Sequence, residues 1–194
     1  MPGEFPGIAK KELFARLAEG HAAGITVVTP NVRLARELAR EFDQGQAGNG
    51  LSVWETADIL PLSMFVERLY EDCLYSDNAA DLPQLLTPAQ GQAIWESILP
   101  RGELLAIADT AANCADAWAL AHAWRIAGAL DKFPGNEDSR AFAGWAQQYA
   151  QRCDKEGLTD AARLPDLVLR HSIKKPKLLV AYGAKLVLTE GAKG

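Results

Sequence analysis

Cysteine is scarce in this chain of 194 residues: Cys73, Cys114 and Cys153 are odd in number, far apart, and never form a Cys-x-x-Cys pair. That spacing excludes a disulfide framework and a thiolate metal site, and leaves three small buried hydrophobes. Histidine is as sparse, and His21, His122 and His171 have no partners at metal-ligand spacing, so each reads as a helix-surface or core residue. No apolar run approaches the roughly 20 residues that span a bilayer. The opening Met-Pro-Gly-Glu-Phe-Pro-Gly lacks the charged-then-apolar pattern of a secretory signal, which sets the expectation of a cytoplasmic protein without membrane contact. Also missing is any Gly-x-x-x-x-Gly-Lys-Ser/Thr stretch whose backbone N–H groups would cradle a phosphate chain. No acid–base pair or nucleophile–base pair stands out either. Asp58 and Asp109 are isolated carboxylates, read as a turn residue and a solvated helix position, so the sequence assigns no catalytic residue, metal or cofactor.

What is present begins with residues 25–42. Ile25 to Thr29 is a β-branched run suited to a buried parallel strand. Pro30 ends it by removing a donor, and Asn31 is a competent N-cap for a helix starting at Val32. On that helix Leu34, Ala35, Leu38 and Phe42 share one face, and Arg33, Arg36 and Arg40 the opposite one. Ligands of parallel α/β sheets sit outside the carboxyl ends of the strands, which here means Thr29-Pro30-Asn31.

Around this unit, residues 8–19 read as a short amphipathic helix stopped by Gly20. Gln44 to Gly50 read as a flexible loop, Leu51 to Trp54 as a second strand, and about Leu62 to Tyr75 as a helix with Phe65, Leu69 and Cys73 on its apolar side. Two strand–helix units in tandem predict a parallel sheet. From residue 85 the β-branched runs disappear. Thr87-Pro88-Ala89-Gln90 is a capping box opening a helix to Leu99; residues 103–130 read as one long or kinked helix; Asn136 caps a helix to Glu156 with Gly157 at its end; and Pro165 opens a last one to about His171. Trp145 and Tyr149 share a stripe with Phe142 and read as core packing, whereas Trp54 is left open. Lys174 to Tyr182 is basic, then apolar, and reads as a strand rejoining the first sheet. The expected organisation is therefore residues 1–84 as the first part of an α/β domain, 85–172 as an all-helical insertion, and 173–194 as the return to the sheet. The charge is uneven: residues 51–110 hold ten acidic and two basic side chains, 111–194 nine and twelve. The middle of the chain is expected to face away from any DNA.

Three segments carry a resemblance. Val28 to Leu38 is similar to the strand-to-helix motif with which active superfamily-one helicases contact single-stranded DNA. Trp54-Glu55-Thr56, continued through Leu62 to Leu69, is similar to their next strand-to-helix motif. Tyr149 to Cys153 and Gly157 to Leu167 resemble the segment before the Walker B strand. In this order, over about residues 25–182, the chain resembles the N-terminal helicase-like part of bacterial AddB/RecB-type helicase–nucleases, more narrowly a bacterial DNA repair exonuclease family. The resemblance implies a RecA-like parallel sheet with a large helical insertion. It also implies a weak single-stranded DNA contact at Thr29, Asn31, Arg33 and Thr56, with a partner helicase subunit and the C-terminal nuclease part of the parent protein as partners. Two departures imply an inactivated ATPase: the phosphate loop is missing, and Leu178 to Tyr182 runs into Gly183-Ala184-Lys185, where active enzymes place Asp-Glu for magnesium. No enzymatic activity is therefore expected of this chain. The alternative expectation is a structural docking module for partner subunits without direct DNA contact; a free-standing small-molecule enzyme ranks third. Residues 183–194 are similar to an internal segment of cysteine synthases, but the cofactor-binding lysine motif of those enzymes does not occur.

Overall fold

A computed structural model describes residues 7–76, 79–102, 105–132, 135–170 and 175–183. The chain divides into two compact units, residues 1–65 with 174–194, and residues 66–173. In chain order the first unit contributes helix α1 (Lys10–Leu17), strand β1 (Ile25–Thr29), helix α2 (Val32–Gly48), strand β2 (Ile59–Pro61) and the start of helix α3 (Leu62–Leu74). The second holds the rest of α3, then β3 (Gln84–Leu85), α4 (Pro88–Ile98), α5 (Ile107–Ala123), α6 (Glu137–Glu156), β4 (Leu158–Thr159) and α7 (Leu164–Leu169), before β5 (Leu178–Ala181) returns to the first. The architecture is helix-rich α/β, with a small parallel sheet of three strands.

That sheet has the order β2-β1-β5, with β1 in the middle. Val27 aligns with Ile59 on one side and with Val180 on the other. The β-branched side chains of β1 are buried except at its first residue, and the stripe Ala35, Leu38 and Phe42 brings α2 onto the core with Leu13 and Leu17 of α1. Phe14 meets Phe42 edge to face at 5.8 Å. Thr26 is a buried polar residue; its hydroxyl donates to the Asp58 carboxylate at 2.6 Å, which offsets the cost of its desolvation.

The second strand is displaced from its expected position. Residues 51–58 have no regular structure, Val53 is 84% exposed, and pairing starts only at Ile59. The strand expected at Leu51 to Trp54 lies instead at Ile59–Pro61. The register is set by Asp58, whose carbonyl takes the Val27 N–H at 2.8 Å while its carboxylate holds Thr26. Asp58 is therefore an anchor of the sheet rather than a simple turn residue. Pro61 ends β2 where no further ladder donor is needed. Trp54 is half-buried against the core, and its ring N–H donates to Asp43 at 2.8 Å.

The second unit is built on aromatic rings. Trp95 of α4 is 1% exposed and stacks on Tyr149 of α6, with centroids 4.2 Å apart and planes 5° from parallel. Trp118 of α5 meets Trp95 edge-on at 6.3 Å, and its N–H donates to Asp160 at 3.0 Å. Trp145 is half-buried beside Tyr149. The caps are local and strong: Thr87 and Gln90 form the expected capping box, Asn136 accepts from Ser139 N–H at 2.9 Å, and Gly157 closes α6 with φ of 66°.

Two features depart from an uninterrupted helical segment. The helix expected over 103–130 is α5 alone, followed by a 3-10 stretch at Ala127–Lys132. The break falls at Arg125, whose φ of 57° cannot continue a right-handed helix. Gln84–Leu85 and Leu158–Thr159 also pair in parallel, so the region expected to be all-helical contains β4. Gly157 turns the chain out of α6, and the extended residues that follow satisfy their backbone groups across the gap, Leu86 N–H donating to Thr159 at 2.7 Å. Cys73, Cys114 and Cys153 are buried free thiols, and burial pushes each thiol's pKa up.

Candidate functional site

Because β1, β2 and β5 are parallel, their carboxyl ends form one edge of the sheet: Thr29 lies opposite Pro61, and Val28 opposite Ala181. The loop Thr29-Pro30-Asn31 leaves that edge and enters α2. Thr29 is only 2% exposed, and its hydroxyl donates to the Asn31 carbonyl at 2.9 Å. It shapes the loop rather than facing a ligand. Asn31 Oδ1 accepts from the Leu34 N–H at 2.9 Å, so the cap is occupied. The Val32 and Arg33 N–H groups meet no acceptor among the described residues and point out of the first turn, where the helix dipole favours negative charge.

Arg33, Arg36 and Arg40 are exposed, and no carboxylate lies within 4.0 Å of any of them among the described residues. Their spacing keeps them within about 60° around the helix and spreads them over about 10 Å along it. Exposed Val32 and Leu62, opening adjacent helices at the same edge, add apolar surface. Gly183 closes the edge with φ of 74°, and any side chain there would run into the δ-methyl of Leu34. A side chain at Gly183 would thus require Leu34 to turn aside; Ala184 and Lys185, the rest of the stretch that departs from Asp-Glu, lie outside the described residues.

Thr56 does not join this group. It lies beyond the amino end of β2, since pairing begins with Val27 opposite Ile59, and its carbonyl meets His21 Nε2 at 2.8 Å. The neighbouring Glu55 accepts the His21 backbone N–H at 2.5 Å. The structure thus gathers Thr29, Asn31 and Arg33 at one end of the sheet and leaves Thr56 at the other, about 16 Å away for a five-residue strand. Whether Arg36 and Arg40 meet acidic partners depends on residues distant in the chain as well as on Glu37 and Asp43, each within one turn of them.

A polar cleft of about 580 Å³ lies within the second unit, lined by His122, Asp154, Arg163, Asp166 and Arg170 among others. Arg163 pairs with Asp154 at 2.5 Å within the lining, and Asp166 pairs with Arg125 outside it at 3.7 Å. Burial pushes His122 below its ordinary pKa; Asp160 and Asp166 oppose that shift and Arg163 adds to it. Among the described residues no group of three or more His, Cys, Asp or Glu is placed to hold a metal ion, and no helix is long and apolar enough to cross a membrane. A scan against protein-family models and a search of curated proteins both return no match for the chain.

Proposed function

We propose that this chain is an inactivated helicase-like region of an AddB/RecB-type DNA repair helicase–nuclease, and that it holds single-stranded DNA weakly at the carboxyl edge of its sheet. The finer reading of the fold, a RecA-like sheet carrying residues 66–173 as an insertion between β2 and β5, belongs to the same proposal. The observation that carries it is the geometry at the start of α2: among the described residues, two N–H groups beside Arg33 meet no acceptor, and Arg36 and Arg40 farther along the helix meet no carboxylate. A phosphate backbone supplies charges at a spacing such a stripe can follow, and the adjacent apolar edge offers contact to bases. Among the described residues nothing at this edge replaces a phosphate loop. Pro30 has no N–H, and Gly183-Ala184-Lys185 carries no carboxylate, so magnesium–ATP is expected to give no heat of binding in calorimetry.

Titration of a fluorescent single-stranded oligonucleotide at two salt concentrations tests the reading. Arg33→Ala should weaken binding and flatten the salt dependence by about one unit of slope, and Arg36→Ala should do the same to a similar degree. No binding by the wild-type chain at low salt would leave the second reading, a docking module without DNA contact. That reading draws its own support from charge: residues 66–173 contain sixteen acidic and nine basic side chains, a balance that repels a polyanion.

A further inference from the structure

Within residues 66–173 a groove of about 600 Å³ runs between α4 and α5, inside the range of roughly 300–1,000 Å³ typical of ligand sites. It exists because both helices present small or short residues to it. Ala112, Ala115 and Ala119 recur on one face of α5, and α4 offers Gly91 beside Pro88. The two backbones are held apart at the core by Trp95 and Trp118, so the space above these rings is left unfilled. The floor is aromatic and the walls are mostly methyl groups.

The rim has one sign of charge. Glu67, Asp116 and Asp160 line the groove, and among the described residues no lysine or arginine does. Asp160 is committed, since it takes the Trp118 ring N–H and the Ala162 and Arg163 backbone N–H groups. Glu67 and Asp116 are exposed, and among the described residues neither has a basic partner within 4.0 Å. The whole unit is acidic as well, which adds long-range attraction for a cationic partner and opposes a nucleic acid.

We propose that this groove docks a basic, apolar segment of a partner protein. One or two leucine-like or aromatic side chains enter between α4 and α5, and flanking lysines or arginines meet Glu67 and Asp116. Apolar burial supplies most of the affinity, while the two carboxylates select the sign of the partner and speed its approach. The proposal stands apart from the DNA reading, because none of its residues lies in the first unit and Arg33→Ala should leave it untouched.

The test uses the full chain and a dye-labelled amphipathic peptide of leucine and lysine, followed by fluorescence anisotropy. Two matched peptides serve as controls, one with glutamate in place of lysine and one with serine in place of leucine. Saturable binding is expected for the leucine–lysine peptide alone. Ala119→Trp fills the groove from an exposed position and should weaken binding by roughly tenfold or more, with the circular dichroism spectrum unchanged. Glu67→Gln combined with Asp116→Asn should weaken it roughly three- to tenfold and reduce its dependence on salt. The proposal is overturned by absence of saturable binding, by equal affinity for the glutamate or serine peptide, or by equal affinity of the Ala119→Trp chain. A concentration-dependent dimer abolished by Ala119→Trp would place a second copy in the groove and would also overturn it.

Discussion

Residues 1–65 with 174–194 hold nine acidic and eleven basic side chains, against sixteen and nine in residues 66–173, and the two cores differ as much as the charges. The first unit closes over mostly aliphatic side chains of α1, β1 and α2 with the Phe14–Phe42 pair among them, and its sheet joins segments about 150 positions apart: Ile25 pairs with Leu178. The second closes over stacked rings on helices that follow one another along the chain. A sheet whose third strand returns only after the whole second unit carries a large loop-closure cost, whereas the helical unit is made of nearer contacts. The division also separates the candidate surfaces: an unpaired arginine stripe on the basic side of the balance, an apolar groove with a carboxylate rim on the acidic side.

The largest expected effect breaks this comparison if it spreads. Trp95→Ala removes the ring that stacks on Tyr149 and meets Trp118, and should cost about 3–5 kcal/mol. Native-state hydrogen exchange should show the loss at the amides of α4, α5 and α6. Equal loss at Val27 and Val28 would mean that the two units unfold as one. In the opposite direction, Thr26→Val removes the hydroxyl that donates to Asp58 and should cost about 1–3 kcal/mol, read at the β1 amides and absent from α4. Asn31→Ala is smaller, at about 1 kcal/mol, because it frees the Leu34 N–H at a solvent-exposed helix end. It should lower protection in the first turn of α2 alone.

These variants fall on features of unequal legibility. Asn31, the Thr87/Gln90 box, Gly157 and the buried stripe of α2 were readable because each is decided within a few residues by capping geometry or by a 3.6-residue period. The parallel pairing of β1 with β5 was readable from two isolated β-branched or apolar runs at opposite ends of the chain. The second strand was not: Ile59 to Pro61 is too short to show a period, and its register rests on Asp58 meeting Thr26 across 32 positions. The two-residue strands β3 and β4 give no periodic signal at all. Thr29 and Arg33 share one end of the sheet because they are four residues apart in the chain. The separation of Thr56 from them followed from that hidden register.

The smallest effect sharpens the comparison through pH and falls on the second unit. His122 sits edge-on to Trp118, with centroids 4.2 Å apart, and its buried Nε2 has no hydrogen-bond partner among the described residues. Burial holds its pKa below the ordinary 6.5; Asp160 and Asp166 pull upward and Arg163 pushes further down. In the unfolded chain the imidazole takes its proton near pH ~6.5, before the folded one does. The unfolded state therefore binds more protons in the window just below that value, so stability rises with pH there. Acidification through about pH 6.5 should cost stability, with a slope below the limit of about 1.4 kcal/mol per pH unit for one proton, and the loss should level off below the folded pKa. Urea unfolding followed by the α4 and α5 amides at several pH values measures it. His122→Gln has no proton to gain and should flatten that slope in the second unit; an unchanged slope would assign the acid sensitivity to other groups.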